Sequence, residues 1–273
     1  VSRSVVTVNP LPDAGSIAGA SSVCVGSSIT LIDGISGGSW SGSNANAFVG
    51  PTGLVTGNVA GLDTILYSVT NGCGTVAATK VVSVNPLPNA GTVTGASSVC
   101  VGSTITLTDV ASGGTWSGSN ANASIGSTGV VTGVVAGLDT MIYTVTNSCG
   151  TATATKIINV NPLPNAGTIT GASSVCVGSS ITLTDGVSGG TWSSSNSNAS
   201  VSAGLVTGLA AGLVNINYTV SNLCGSVMAT HSLTVIPLPN AGTITGVSSV
   251  CVGASITLTD AVIGGTWSSS NAT

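Results

Sequence analysis

The residues of this sequence whose type and spacing could do chemistry are its seven cysteines. Cys24, Cys100, Cys176 and Cys251 each sit in Val-Cys-Val-Gly, whereas Cys73, Cys149 and Cys224 each precede a glycine. No two have Cys-x-x-Cys spacing, and His231 is the single histidine, so structural zinc and dithiol redox chemistry are poor readings. Regular cysteine pairs in a chain rich in Ser, Thr and Asn point instead to disulfides and an oxidising, extracellular or cell-surface compartment. The other candidates are His231 and seven aspartates, with no glutamate. One histidine and single, periodically placed aspartates build no nucleophile–base pair and no carboxylate dyad. No catalytic residue and no enzyme activity are therefore expected.

Charge narrows the function classes further. Charged residues make up 4% of the chain, with three Lys+Arg and a net charge of −4, against about a quarter in ordinary soluble proteins. Three cations cannot form the basic stripe that nucleic acid requires. Val, Ile, Leu and Ala are too plentiful for a disordered acidic tail. Gly, Ser or Thr interrupts every apolar stretch before it reaches the ~18 residues of a membrane helix, so no membrane span is expected in these residues.

The elements that must position the cysteines are read from a repeat. Asn-Pro-Leu-Pro begins at Asn9, Asn85 and Asn161, and Ile-Pro-Leu-Pro at Ile236. Trp40, Trp116, Trp192 and Trp267 follow the Val-Cys-Val-Gly cysteines, and Tyr67, Tyr143 and Tyr218 precede the other three, always at the same offset. The period is about 76 residues. The expected organisation is the last strand of a preceding repeat at 1–8, complete repeats at 9–84, 85–160 and 161–235, and the first part of a fourth at 236–273. Ser4-Val-Val-Thr-Val-Asn-Pro10 resembles Lys80-Val-Val-Ser-Val-Asn-Pro86, and the 273 residues read as part of a longer repetitive polypeptide.

Inside a repeat the pattern is β. Strands are expected over 28–33, from 37 to 41, over 53–57, over 64–70 with Ile65, Tyr67 and Val69 on one face, and over 76–84. No segment sustains a 3.6-residue period, so helix should be nearly absent. Short strands between Gly/Asn turns make the fold class all-β: tandem immunoglobulin-like β-sandwich repeats forming a rod or fibre. The tryptophans and tyrosines are expected in the cores. Each Pro-Leu-Pro joint fixes φ twice and makes a short, stiff connection.

Thr191-Trp-Ser-Ser-Ser-Asn196, Val201-Ser-Ala-Gly-Leu-Val-Thr-Gly-Leu-Ala-Ala-Gly212 and Ile216-Asn-Tyr-Thr219 resemble the group 2 bacterial immunoglobulin-like domains of surface adhesins and invasin-like proteins. The cysteine pairs and Asn-Pro-Leu-Pro joints look like repeat arrays in giant secreted proteins of Bacteroidetes-type bacteria. The resemblance spans essentially the whole chain. It implies a sandwich fold and a surface or secreted setting, and it carries over no catalytic residue. Tyrosine stands six residues before the second cysteine here, where animal immunoglobulin domains have two.

Two pairings of the cysteines remain open at this stage. Pairing within a repeat gives Cys24–Cys73, Cys100–Cys149 and Cys176–Cys224. In an immunoglobulin sandwich, however, the strand after Cys24 and the strand before Cys73 run the same way in opposite sheets. Six-residue strands would hold the two cysteines roughly 20 Å apart, and a disulfide needs Cα atoms about 5.5 Å apart. A staggered pairing between successive repeats, Cys24–Cys149 and Cys100–Cys224, fits better and is slightly preferred. It leaves Cys73, Cys176 and Cys251 to partners beyond these residues. Cross-links between separate chains are a third arrangement.

Other candidates have plainer readings. Asp33, Asp109, Asp185 and Asp260 end equivalent strands and read as turn caps. They, with Asp63 and Asp139, are the only residues on which a calcium ion could be argued, and Val214 breaks that pattern in the third repeat. No other cofactor is expected. His231 takes the slot of Lys80 and Lys156 and reads as a surface residue. Thr64 and Thr140, each between Asp and an aliphatic residue, weakly match bacterial O-glycosylation sites. The tryptophans read as core rather than as a sugar platform, which leaves a carbohydrate or host ligand unsupported. The function expected is a segment of a self-associating surface fibre whose partners are other copies, end to end and lateral. The alternative is a spacer stalk of an adhesin whose binding tip lies elsewhere.

Overall fold

Alternation decides the central strand pair. In Gly61–Asn71 the buried positions are Asp63, Ile65 and Tyr67, every second residue, as expected of a strand with one face on a core. In Gly74–Asn85 they are Val82 and Val84. These two strands form a long antiparallel hairpin from Gly61↔Val84 to Asn71↔Gly74.

The computed structural model describes residues 3–271, so residues 1–2 of the expected leading strand and 272–273 of the expected fourth repeat lie outside the described residues. The chain divides into two compact units, one up to Pro162 and one from Leu163. The first repeat contains nine strands: β1 (Ile17–Ala18), β2 (Ser22–Cys24), β3 (Ser28–Thr30), β4 (Ile32–Asp33), β5 (Ser39–Gly42), β6 (Ala47–Val49), β7 (Leu54–Gly57), β8 (Gly61–Asn71) and β9 (Gly74–Asn85). One sheet has the order β2-β9-β8-β5, with β2 parallel to β9. The facing sheet is β3-β7-β6, and β1 pairs with β4. The same order recurs between residues 93 and 161, and again between residues 169 and 236. No α-helix occurs among the described residues. This is the all-β, immunoglobulin-like sandwich repeat expected from the pattern.

Between the sheets lie Val23, Leu31, Ala47, Val55, Ile65, Val82 and Val84. The core is thus mostly branched aliphatics, each worth about 1.5–3 kcal/mol when fully buried. Its one aromatic pair is Trp40 on Tyr67, with ring centroids 4.8 Å apart and a tilt of 48°. The Tyr67 hydroxyl donates to Ile35 O (2.6 Å) and accepts from Gly38 N (2.9 Å). A Cβ at Gly38 would run into the Tyr67 ring, so glycine is required there.

The strands differ from expectation in extent. The expected 28–33 strand is two, because Leu31 N donates to Gly53 O and the chain then leaves β7 to pair with β1. β8 and β9 are longer than expected, because cross-strand pairing continues to the tip. Between 236 and 271 the pairing is the single bridge Thr245↔Thr259. Trp267 is accordingly not the core residue expected from its slot. No tyrosine-bearing strand lies against it, and it is 59% exposed.

Candidate functional site: the cross-linked joint

The cysteines sit at opposite ends of a repeat because β9 lies between them. Cys73 is in the tip Asn71-Gly72-Cys73-Gly74, whereas Cys24 pairs with Asn85 at the far end of β9. Twelve residues of strand separate the two ends by roughly 40 Å. The within-repeat pairing is therefore excluded, and by a longer strand than the sequence suggested. Cys73 and Cys176 are free thiols, so Cys24–Cys73 and Cys176–Cys224 do not form. Cys100–Cys149 does not form either, because Cys149 is joined to Cys24.

The first compact unit shows how that join is made. The second repeat's hairpin, Gly137–Asn147 and Gly150–Asn161, carries its tip back to the base of the first repeat. There Cys24 and Cys149, 125 residues apart in sequence, form a disulfide with Cα atoms 5.6 Å apart. Asn147 prepares the tip from both ends of its side chain. Its Oδ1 accepts Cys149 N (2.8 Å), and its Nδ2 donates to Pro86 O in the joint (3.0 Å). Asn85 Nδ2 reaches Ser148 Oγ at 3.5 Å, and the Cys149 sulfur lies 3.7 Å from Asn85 O.

The first tip is built identically without a disulfide. Asn71 Oδ1 accepts Cys73 N (2.8 Å), Asn71 Nδ2 donates to Pro10 O (3.0 Å), and the Cys73 sulfur is 3.5 Å from Asn9 O. In the second unit Cys224 N donates to Asn222 Oδ1 at 2.7 Å. Cys100 and Cys224 are both in disulfide form, and Cys251 is a free thiol. Sequence reasoning missed these tip asparagines. Their signal was present: asparagine stands two residues before every tip cysteine.

The aspartates are engaged by protein donors. Asp63 is 1% exposed. Its Oδ1 accepts from Ser43 N, Ser43 Oγ and Asn44 N, and its Oδ2 from Ala47 N, at 3.0–3.2 Å. Asp139 does the same with Ser119, Asn120 and Ala123. Each buried carboxylate thus latches the loop between β5 and β6, or its counterpart. These oxygens are met by N–H and O–H donors, a setting that does not suit a cation. Asp33, Asp109, Asp185 and Asp260 cap turns through Oδ1, accepting the amide two residues on at 2.7–2.9 Å. Their buried Oδ2 atoms have no protein partner. Among the described residues, no three His, Cys, Asp or Glu side chains group to hold a metal.

Tyr67, Tyr143 and Tyr218 are buried, and Trp116 and Trp192 lie against the latter two at 4.7 and 4.8 Å. Thr64 and Thr140 are half-buried beside the aspartate latches, where their amides donate to Ser43 Oγ and Ser119 Oγ. His231 is half-buried, with Nε2 3.1 Å from Ala172 O. No helix among the described residues is long and apolar enough to cross a membrane.

No protein-family model matches the chain, and no curated protein does. Among solved structures, a titin I-band fragment, I67–I69, is 13% identical over 80% of this chain and 95% of that one, with a TM-score of 0.43. Mouse protocadherin-24 EC1–3 is 15% identical over 84% of this chain and all of that one, with a TM-score of 0.37. Surface layer protein SbsC, domains 1–6, is 17% identical over 90% of this chain and 44% of that one, with a TM-score of 0.25.

Proposed function

We propose that this chain is a structural, non-enzymatic segment of a self-associating extracellular fibre on a bacterial surface, of the group 2, Bacteroidetes-type kind that its motifs resemble. The observation that carries the reading is the disulfide from the base of one repeat to the hairpin tip of the next. Such a link places the covalent reinforcement at the joint between repeats. The free thiols of Cys73 and Cys176 stand at the equivalent tip and base positions of their repeats.

The role is mechanical. Tension applied across the first two repeats passes from Cys24 to Cys149 through the sulfur atoms and bypasses the residues between them. The scarcity of charge supports lateral association, because charged side chains are what ordinarily keep exposed strand edges apart. Electron microscopy of the secreted protein tests the reading: continuous ordered filaments are expected, and isolated thin threads would reject it. A spacer stalk is the second reading, favoured by the fact that Cys24 and Cys149 belong to one chain, so the staple stiffens a single thread without neighbours.

A further inference from the structure

The longest strand of each repeat is also an open edge. β2 covers only the last three residues of β9, Ser83 to Asn85. Ser83 N donates outward to Ser21 O, and Asn85 O accepts from Val25 N. Backbone groups alternate along a strand, so the residues at 75, 77, 79 and 81 also turn their N–H and C=O away from β8. No strand pairs with them there. In the second repeat Asn159 N donates outward to Ser97 O, which places Thr151, Thr153, Thr155 and Ile157 on the open edge. All four are exposed, as are their counterparts at 75–81 and 226–232 that turn the same way.

We infer that this edge is an interaction surface for the same edge of a second copy of the chain, paired antiparallel about a two-fold axis. The inference rests on the self-association reading above and gives it a contact. Three observations select this occupant. The outward side chains are neutral and mostly β-branched, which suits strand pairing. The molecule already ties its own strands together with paired hydroxyls, Thr146 to Thr151 at 3.0 Å and Thr94 to Thr108 at 2.9 Å, and an edge of alternating threonines offers the same pair to its copy. Finally, the only charge on this stretch is Lys156, and it is compatible with a register centred on Ala154. With Ala154 opposite itself, Thr153 faces Thr155, Thr151 faces Ile157, and Lys156 faces Ala152. A shift that set Lys156 opposite its copy would place like charges in contact, which is destabilising. Lys80 and Ala78 allow the same register in the first repeat.

The test uses the whole oxidised chain with its free thiols alkylated, so that association cannot come from new disulfides. Sedimentation velocity across a concentration series is read alongside amide exchange by NMR. The amides of Thr151, Thr153, Thr155 and Ile157 should exchange freely when dilute and slow at least tenfold at concentrations where the chain associates. Lysine at both members of the central pair in every repeat (Ala77 and Thr79, Thr153 and Thr155, Met228 and Thr230) should abolish association, because lysine would then face lysine. Proline at Thr79, Thr155 and Thr230, which removes an outward N–H and no bond to the hairpin partner, should do the same. Association with these amides still exchanging freely, or undiminished in either folded variant, overturns the edge and leaves the fibre reading standing. A chain that stays monomeric at every concentration overturns both.

Discussion

Two hairpin tips in the first compact unit share one geometry, yet only one carries a covalent bond. Around Cys73 and around Cys149, an asparagine folds the turn and holds a proline carbonyl at the same distances. Cys149 continues into a disulfide, whereas Cys73 is a free thiol. The likeness shows that the disulfide does not shape the tip. Local hydrogen bonds to the joint shape it, and the sulfur is delivered ready to react. A bond that locks an existing arrangement keeps its full effect on the unfolded chain and loses little to native strain.

The largest effect should come from breaking the bonded tip. Cys149→Ser releases a loop of 125 residues, which the chain-entropy argument values at roughly 5 kcal/mol. Urea unfolding of the first two repeats should show a loss of about that size, and a loss below about 1 kcal/mol would mean that the joint is held by its hydrogen bonds. In a single-molecule pulling experiment, full reduction should lengthen the extended chain by at least roughly 400 Å, the span of the residues released.

A second contrast ranks next. The second repeat has Asp139 where the third has Val214. Asp139→Val removes a buried acceptor from donors on Ser119, Asn120 and Ala123, and should cost about 2–4 kcal/mol. The reverse change, Val214→Asp, should be far milder if the third repeat's loop retains the same donors. Thermal unfolding measures both.

Asn147→Ala and Asn71→Ala each remove the two hydrogen bonds of a tip and should cost about 1–2 kcal/mol. Equal losses by calorimetry would sharpen the likeness of the tips, whereas a loss at Asn71 alone would mean that the disulfide does organise its tip after all. The smallest effect belongs to Cys73→Ser, expected within about 0.5 kcal/mol, as for a surface substitution away from special features. Alkylation followed by peptide mass analysis should label Cys73 and Cys176 in the folded chain and spare Cys24 and Cys149.

Much of the fold was legible because it depends on local pattern. Ile65 and Tyr67 alternate with outward residues, glycines mark the turns, and the Trp/Tyr pair recurs at fixed spacing. The breaking of the strand at Leu31 was not legible. A switch of partner from β7 to β1 leaves no mark on a run of Ser, Ile, Thr and Leu. The latch at Asp63 was misread for a similar reason. An aspartate at a strand start looks like a cap or a metal ligand until the loop folded over it supplies four donors.

By itself, the sequence determined a repeating all-β sandwich with two thiols per repeat and almost no charge, because periodicity and composition are properties of the chain read in order. Only the tertiary structure decided which thiols meet and which edge stays open. Both depend on the length of β9. That strand holds Cys24 and Cys73 about 40 Å apart, its counterpart carries the Cys149 tip to the joint at Pro86, and it outruns the three-residue strand that covers its end.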